Sequence, residues 1–122
     1  MRYIHRQIED VVYKAAQSFK VVLITGARQT GKSTLLRELF PERKQLSFDD
    51  LFLEEQAKEN PELFMMLHEP PVVLNEVQRV PDLFRYLKLQ CDSSEAKGQF
   101  LLSGSQPFSL MRLAPDSLAE TR

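Results

Sequence analysis

A short apolar run, Val21-Val22-Leu23-Ile24-Thr25, is followed at once by Gly26-Ala27-Arg28-Gln29-Thr30-Gly31-Lys32-Ser33. The run is rich in β-branched residues and does not alternate with polar ones, which suits a strand covered on both faces, as in a parallel sheet. After the glycine-bounded break, Leu35, Leu36 and Leu39 predict a helix over 32–40, stopped by Pro41. The eight residues between fit the phosphate-loop pattern of Gly, four residues, then Gly-Lys-Ser/Thr. Each fixed position has a physical reason. Gly26 lets the chain leave the strand in a conformation that a Cβ would oppose. Gly31 lets backbone N–H groups converge closely on an anion. Lys32 supplies a point charge for β- and γ-phosphates, and Ser33 a hydroxyl for Mg²⁺. The helix starting there adds the positive end of its dipole.

The rest of the chain repeats this rhythm. Ile8, Val11, Val12, Ala15 and Phe19 form one stripe and predict a helix over 6–19. Residues 45–48 are a weak strand candidate, with Asp49-Asp50 placed to cap a helix over about 51–60. Pro61 opens a second, short helix carrying Leu63, Phe64 and Leu67. Val72-Val73-Leu74 is a compact apolar strand, Leu83, Phe84, Leu87 and Cys91 share a helical face, and 99–103 reads as a fourth strand. Strands alternating with helical patterns predict right-handed βαβ units, hence an α/β three-layer sandwich around a parallel sheet of about four strands.

With 122 residues the chain has room for a single domain spanning 1–122. Its 43% hydrophobic and 27% charged residues are those of a globular protein. One cysteine, Cys91, excludes an intrachain disulfide framework and a multi-cysteine zinc site. No apolar run nears the roughly 18 residues that cross a bilayer, and the first residues do not open a signal peptide, so a soluble cytoplasmic protein is expected. The net charge of −1 gives no reason to expect nucleic acid or a membrane surface as partner. Charge is uneven, however: nine basic and four acidic residues in the first 44, against seven and thirteen in the remainder. Two solvated faces would explain this, and so would an anion site at the basic end.

Phosphate-loop hydrolases bring an acid toward the metal from a second strand. Val72-Val73-Leu74-Asn75-Glu76 has that form, ending where ligands bind in open α/β sheets. Glu76 is the candidate general base for an attacking water. Asn75 stands where an aspartate would ordinarily meet Mg²⁺ through water; its amide lacks the charge but its oxygen still accepts from a metal-bound water. Ser103, in Phe100-Leu101-Leu102-Ser103-Gly104-Ser105-Gln106, could carry a polar group beside the phosphate loop or simply begin a strand-to-turn exit. His5 and His68 read as surface or helix-end residues, and Cys91 as core filling.

Three stretches, Val21 through Thr34, Leu74-Asn75-Glu76-Val77-Gln78-Arg79-Val80-Pro81, and Phe100 through Gln106, occur in this order. So arranged, they resemble the AAA-like domain of a widespread prokaryotic family of P-loop ATP-binding proteins. Tyr3-Ile4-His5-Arg6 and Asp116-Ser117-Leu118-Ala119 are similar as well, so the resemblance spans nearly the whole chain. It implies the additional-strand class, in which another strand separates the phosphate-loop strand from the acid-bearing one. It also implies ATP and Mg²⁺ as ligands, held by Gly26, Ala27, Arg28, Gln29, Thr30, Gly31, Lys32, Ser33 and Thr34, with Ser33 and, through water, Asn75 on the metal. Ser103 or Ser105 would then sit next to the γ-phosphate.

The chain departs from the family pattern at Asn75, and at Ala119-Glu120-Thr121-Arg122, where the family usually has Ala-Gly-Arg, so Arg122 takes no family role. It ends about where a fifth strand would begin, so that strand is expected to be missing, which would leave the phosphate-loop strand as an exposed edge. The family's C-terminal domain, or a protein partner in its place, would lie outside this segment. The expected function is ATP binding with weak or no Mg²⁺-dependent hydrolysis. A decayed, non-catalytic interaction module is the alternative, and a small P-loop kinase a more distant one, since no arginine-bearing lid is evident.

Overall fold

The computed structural model describes residues 2–25, 31–104 and 118–121, with side chains for 9–25 and 31–104. Helix α1 (Arg2–Ser18) leads into strand β1 (Val21–Thr25), helix α2 (Lys32–Leu39) and strand β2 (Lys44–Ser47). Helices α3 (Leu51–Glu59) and α4 (Pro61–Leu67) follow, then strand β3 (Val72–Asn75) and a 3₁₀ turn (Val77–Arg79). Helix α5 (Leu83–Asp92), strand β4 (Phe100–Gly104) and strand β5 (Leu118–Thr121) complete the order. Local chemistry sets several boundaries. Asp50 Oδ1 accepts from Phe52 N at 2.9 Å to start α3, and Asn60 Oδ1 accepts from Leu63 N at 3.1 Å to start α4, with Pro61 just inside.

All pairings are parallel and the strands lie in the order β2-β3-β4-β1-β5. Strand β4 therefore separates β1 from β3, the arrangement of the additional-strand class. The expectation of a missing fifth strand is corrected here. Residues 118–121 pair with β1 in register from Val21↔Leu118 to Ile24↔Thr121. A strand buried on both faces still needs partners for its outer N–H and C=O groups, and this segment supplies them. Leu-Ala-Glu-Thr is too short and too mixed to announce a strand by pattern. Among the described residues the sheet has five strands, and β1 is interior rather than an edge.

Alternation along the strands divides the core into two layers. Val21 and Leu23 of β1, Val72 and Leu74 of β3, and Phe100 and Leu102 of β4 pack with Phe48, Phe64, Leu83, Leu87 and Cys91 on the α3–α5 side. Val22, Ile24, Val73 and Leu101 meet Val12, Ala16, Leu35, Leu36 and Phe40 of the α1–α2 side. Burying one such leucine stabilises the fold by roughly 1.5–3 kcal/mol, so each layer is a substantial cohesive unit. Among the described residues no helix is long and apolar enough to cross a membrane.

Cys91 is 2% exposed in the α5 layer, as its place on the apolar stripe suggested. Burial pushes its thiol up from 9.0 to about 11, opposed by nearby Lys20 and assisted by Asp92. Between those values the folded chain holds a proton that the unfolded chain has lost, so this group's contribution to stability falls as pH rises from about 9 to 11. Native protein is expected to resist alkylation by iodoacetamide at pH 8 and to react fully in urea, followed by mass spectrometry. Equal rates in both states would place the thiol outside the core.

Candidate functional site

The C-terminal edge of the sheet collects the polar residues that the sequence singled out. Register places Ile24 beside Ser103 and Leu74 beside Leu102, so the ends of β1, β4 and β3 stand in a row. Adjacent strands lie about 4.8 Å apart, which puts β3 about 10 Å from β1 with β4 filling the interval. Thr25, Lys32, Asn75, Glu76 and Ser103 are all buried here, a concentration of polar groups that needs internal partners.

Residues 26–30 of the phosphate-loop motif lie outside the described residues, as does Ser105. What is described is the motif's second half. Gly31 is the N-cap of α2 with φ 84° and ψ 15°, a left-handed conformation that glycine adopts without penalty. Among the described residues a Cβ built on it would meet no atom within 4 Å, so the backbone conformation and not crowding is what favours glycine there. The first helical bond follows directly, from Leu35 N to Gly31 O at 2.8 Å. No acidic residue occupies the first turn of α2, which leaves its positive dipole end unopposed from within the helix. Lys32 is 7% exposed at this end; Ser33 is half-buried and Thr34 exposed. A buried cation beside a helix N-terminus is the charge pattern suited to a phosphate group.

The other half of the site is a hydrogen-bonded knot between β3 and β4. Ser103 Oγ donates to Asn75 Oδ1 at 2.8 Å and accepts from Glu76 N at 3.2 Å. Asn75 Nδ2 donates to Leu46 O of β2 at 3.4 Å, and Asn75 O accepts from Phe48 N at 2.9 Å. The amide at 75 thus joins three strands, accepting on one side and donating on the other. An aspartate could accept from Ser103 but could not donate to Leu46. The resemblance implies Ser103 or Ser105 next to the γ-phosphate; the Ser103 hydroxyl donates its proton to Asn75 in this structure.

Glu76 leaves β3 with φ 59° and ψ 47°. It is the one non-glycine residue with positive φ among the described residues. That conformation costs a non-glycine residue about 1–3 kcal/mol and persists where the surroundings over-determine it. Here Ser103 Oγ holds the Glu76 amide, Glu76 O accepts from Arg79 N at 3.2 Å, and Gln78 Nε2 donates to Glu76 Oε1 at 2.8 Å. The 3₁₀ turn and the Gln78 contact had no separate signature in the sequence. Asp49, read as a cap beside Asp50, instead accepts from Arg79 Nε at 3.1 Å and ties that turn to the start of α3. His68 ends α4 as expected, and the His5 side chain lies outside those described.

The cleft of about 350 Å³ lined by Arg43, Pro71, Gln90, Lys97 and Gln99 opens at the opposite, N-terminal edge of the sheet and is separate from this arrangement.

Comparison with known proteins agrees with the topology. The chain is 35% identical to Rv2008c of Mycobacterium tuberculosis and to Mb2031c of Mycobacterium bovis, both described as uncharacterized proteins. Each match covers 87% of this chain and 24% of the relative, so the chain spans about a quarter of the length of the curated relatives it matches. Residues 18–122 match the protein family described as "AAA domain". Over β1 to β5 and the site at their C-terminal edge, the chain belongs to that AAA domain family.

Proposed function

We propose that this domain binds ATP with Mg²⁺ at the C-terminal edge of its sheet and hydrolyses it slowly or not at all. The observation that carries the reading is the junction of β1 and α2. A Gly-x₄-Gly-Lys-Ser motif bridges them, its second glycine is left-handed, and its lysine is buried at the start of a helix whose first turn carries no acidic residue. In this reading Lys32 binds the β- and γ-phosphates, and backbone amides from Gly26 to Gly31 complete the cradle. The Ser33 hydroxyl and, through water, the Asn75 amide oxygen hold Mg²⁺, which when bound neutralises charge on the phosphates.

Glu76 accepts the proton of the attacking water. Its backbone is fixed by Ser103, so the carboxylate is presented from a constrained position. Asn75 is the reason to expect slow turnover. A neutral amide offers a cation less attraction than a carboxylate, and this amide oxygen already accepts from Ser103. The same residue favours a second reading, a decayed, non-catalytic interaction module that serves by binding a partner and not by turning over nucleotide.

Titration of a fluorescent ATP analogue decides the first point. Wild type is expected to bind in the presence of Mg²⁺, and Lys32→Ala to bind at least about tenfold more weakly, having lost the charge-assisted contact. Equal, negligible affinity in both overturns the reading. Ser103→Ala tests the knot. Losing the hydroxyl leaves the buried Glu76 N–H without its acceptor and is expected to cost about 1–3 kcal/mol in a urea unfolding curve. An unchanged midpoint would show that Ser103 holds neither neighbour.

A further inference from the structure

We propose that Gln78 is a positioning residue for Glu76, its side-chain amide fixing the carboxylate so that one oxygen is held and the other is presented. This rests on the reading of Glu76 as the water-activating base. Gln78 Nε2 donates to Glu76 Oε1 at 2.8 Å, a short, charge-assisted contact between residues two apart. Such a bond constrains only if its donor is itself fixed. Gln78 sits in the 3₁₀ turn Val77–Arg79, whose flanking Val77 and Val80 are each 1% exposed in the α5-side layer. Arg79 N donates to Glu76 O, Val80 N donates to Val77 O, and the Arg79 guanidinium pairs with Asp49. The turn is thus anchored at both ends and across to α3.

The left-handed backbone of Glu76 supplies the second half of the argument. Its φ of 59° turns the chain so that the amide two residues on folds back onto the carboxylate. No described residue donates to Oε2, although Glu76 is only 7% exposed. A free glutamate would sample several rotamers and direct its basic oxygen variably. With Oε1 tied, the carboxylate is pre-oriented, and orientation of a base toward its proton is a direct source of rate.

The test uses the full chain with Gln78→Met, which keeps the length and removes the donor, and Gln78→Glu, which opposes a like charge. Proton–proton and carbon–proton couplings of the Glu76 side chain are measured by NMR without nucleotide. A single rotamer in wild type, averaged in both variants, is expected; unchanged couplings in Gln78→Met overturn the proposal. Steady-state ATP hydrolysis gives the second measurement, with kcat expected to fall about tenfold or more in Gln78→Met. Nucleotide affinity and the thermal midpoint should stay at wild-type values. Turnover equal to wild type overturns the proposal. A wild type that binds ATP but does not turn it over removes the hydrolytic reading of Glu76, and the couplings then decide the positioning role alone.

Discussion

Two strands buried on both faces, β1 and β4, and the parallel register between them are the constraint on which the rest of the molecule depends. Val21↔Phe100 through Thr25↔Gly104 locks their C-terminal ends level, and the phosphate-loop motif leaves from one end while Ser103 stands near the other. A slip of one residue would carry every side chain of β4 to the opposite layer, sending Ser103 into the α3–α5 core. The alternating apolar residues on the two faces prevent that slip, so the packing that stabilises the fold also fixes the row of polar groups at its edge.

Strand β4 has a role beyond packing. Because it lies between β1 and β3, the residues expected to hold phosphate and those expected to activate water are not on neighbouring strands. The interval is occupied by Ser103, which joins Asn75 and the amide of Glu76 into one unit. The Lys32 end and the Glu76 end of the site are thus set by different forces, a helix start on one side and a hydrogen-bonded knot on the other.

Much of this was legible in the residues. Continuous β-branched runs marked β1 and β3 because burial on both faces removes any need for alternation, and Asp50 and Pro61 marked helix starts through specific backbone chemistry. Gly31 was readable because the motif's spacing sets a glycine just before the helix, where the structure has one in the left-handed conformation. Strand β5 was not, since its strandhood comes from pairing with β1 and not from its own four residues. The use of Ser103 was also hidden. A serine hydroxyl can serve a phosphate or a neighbouring strand, and only the β3–β4 register decides which partner lies 2.8 Å away. Gln78 was silent for a related reason: its reach back to Glu76 depends on a left-handed residue that sequence does not disclose.

That left-handed residue has an evolutionary consequence. Asparagine or glycine would occupy position 76 with less backbone strain than glutamate. Random drift in a lineage with no use for a carboxylate there would therefore run downhill toward either, while a lineage that needs the acid must tolerate a standing conformational burden.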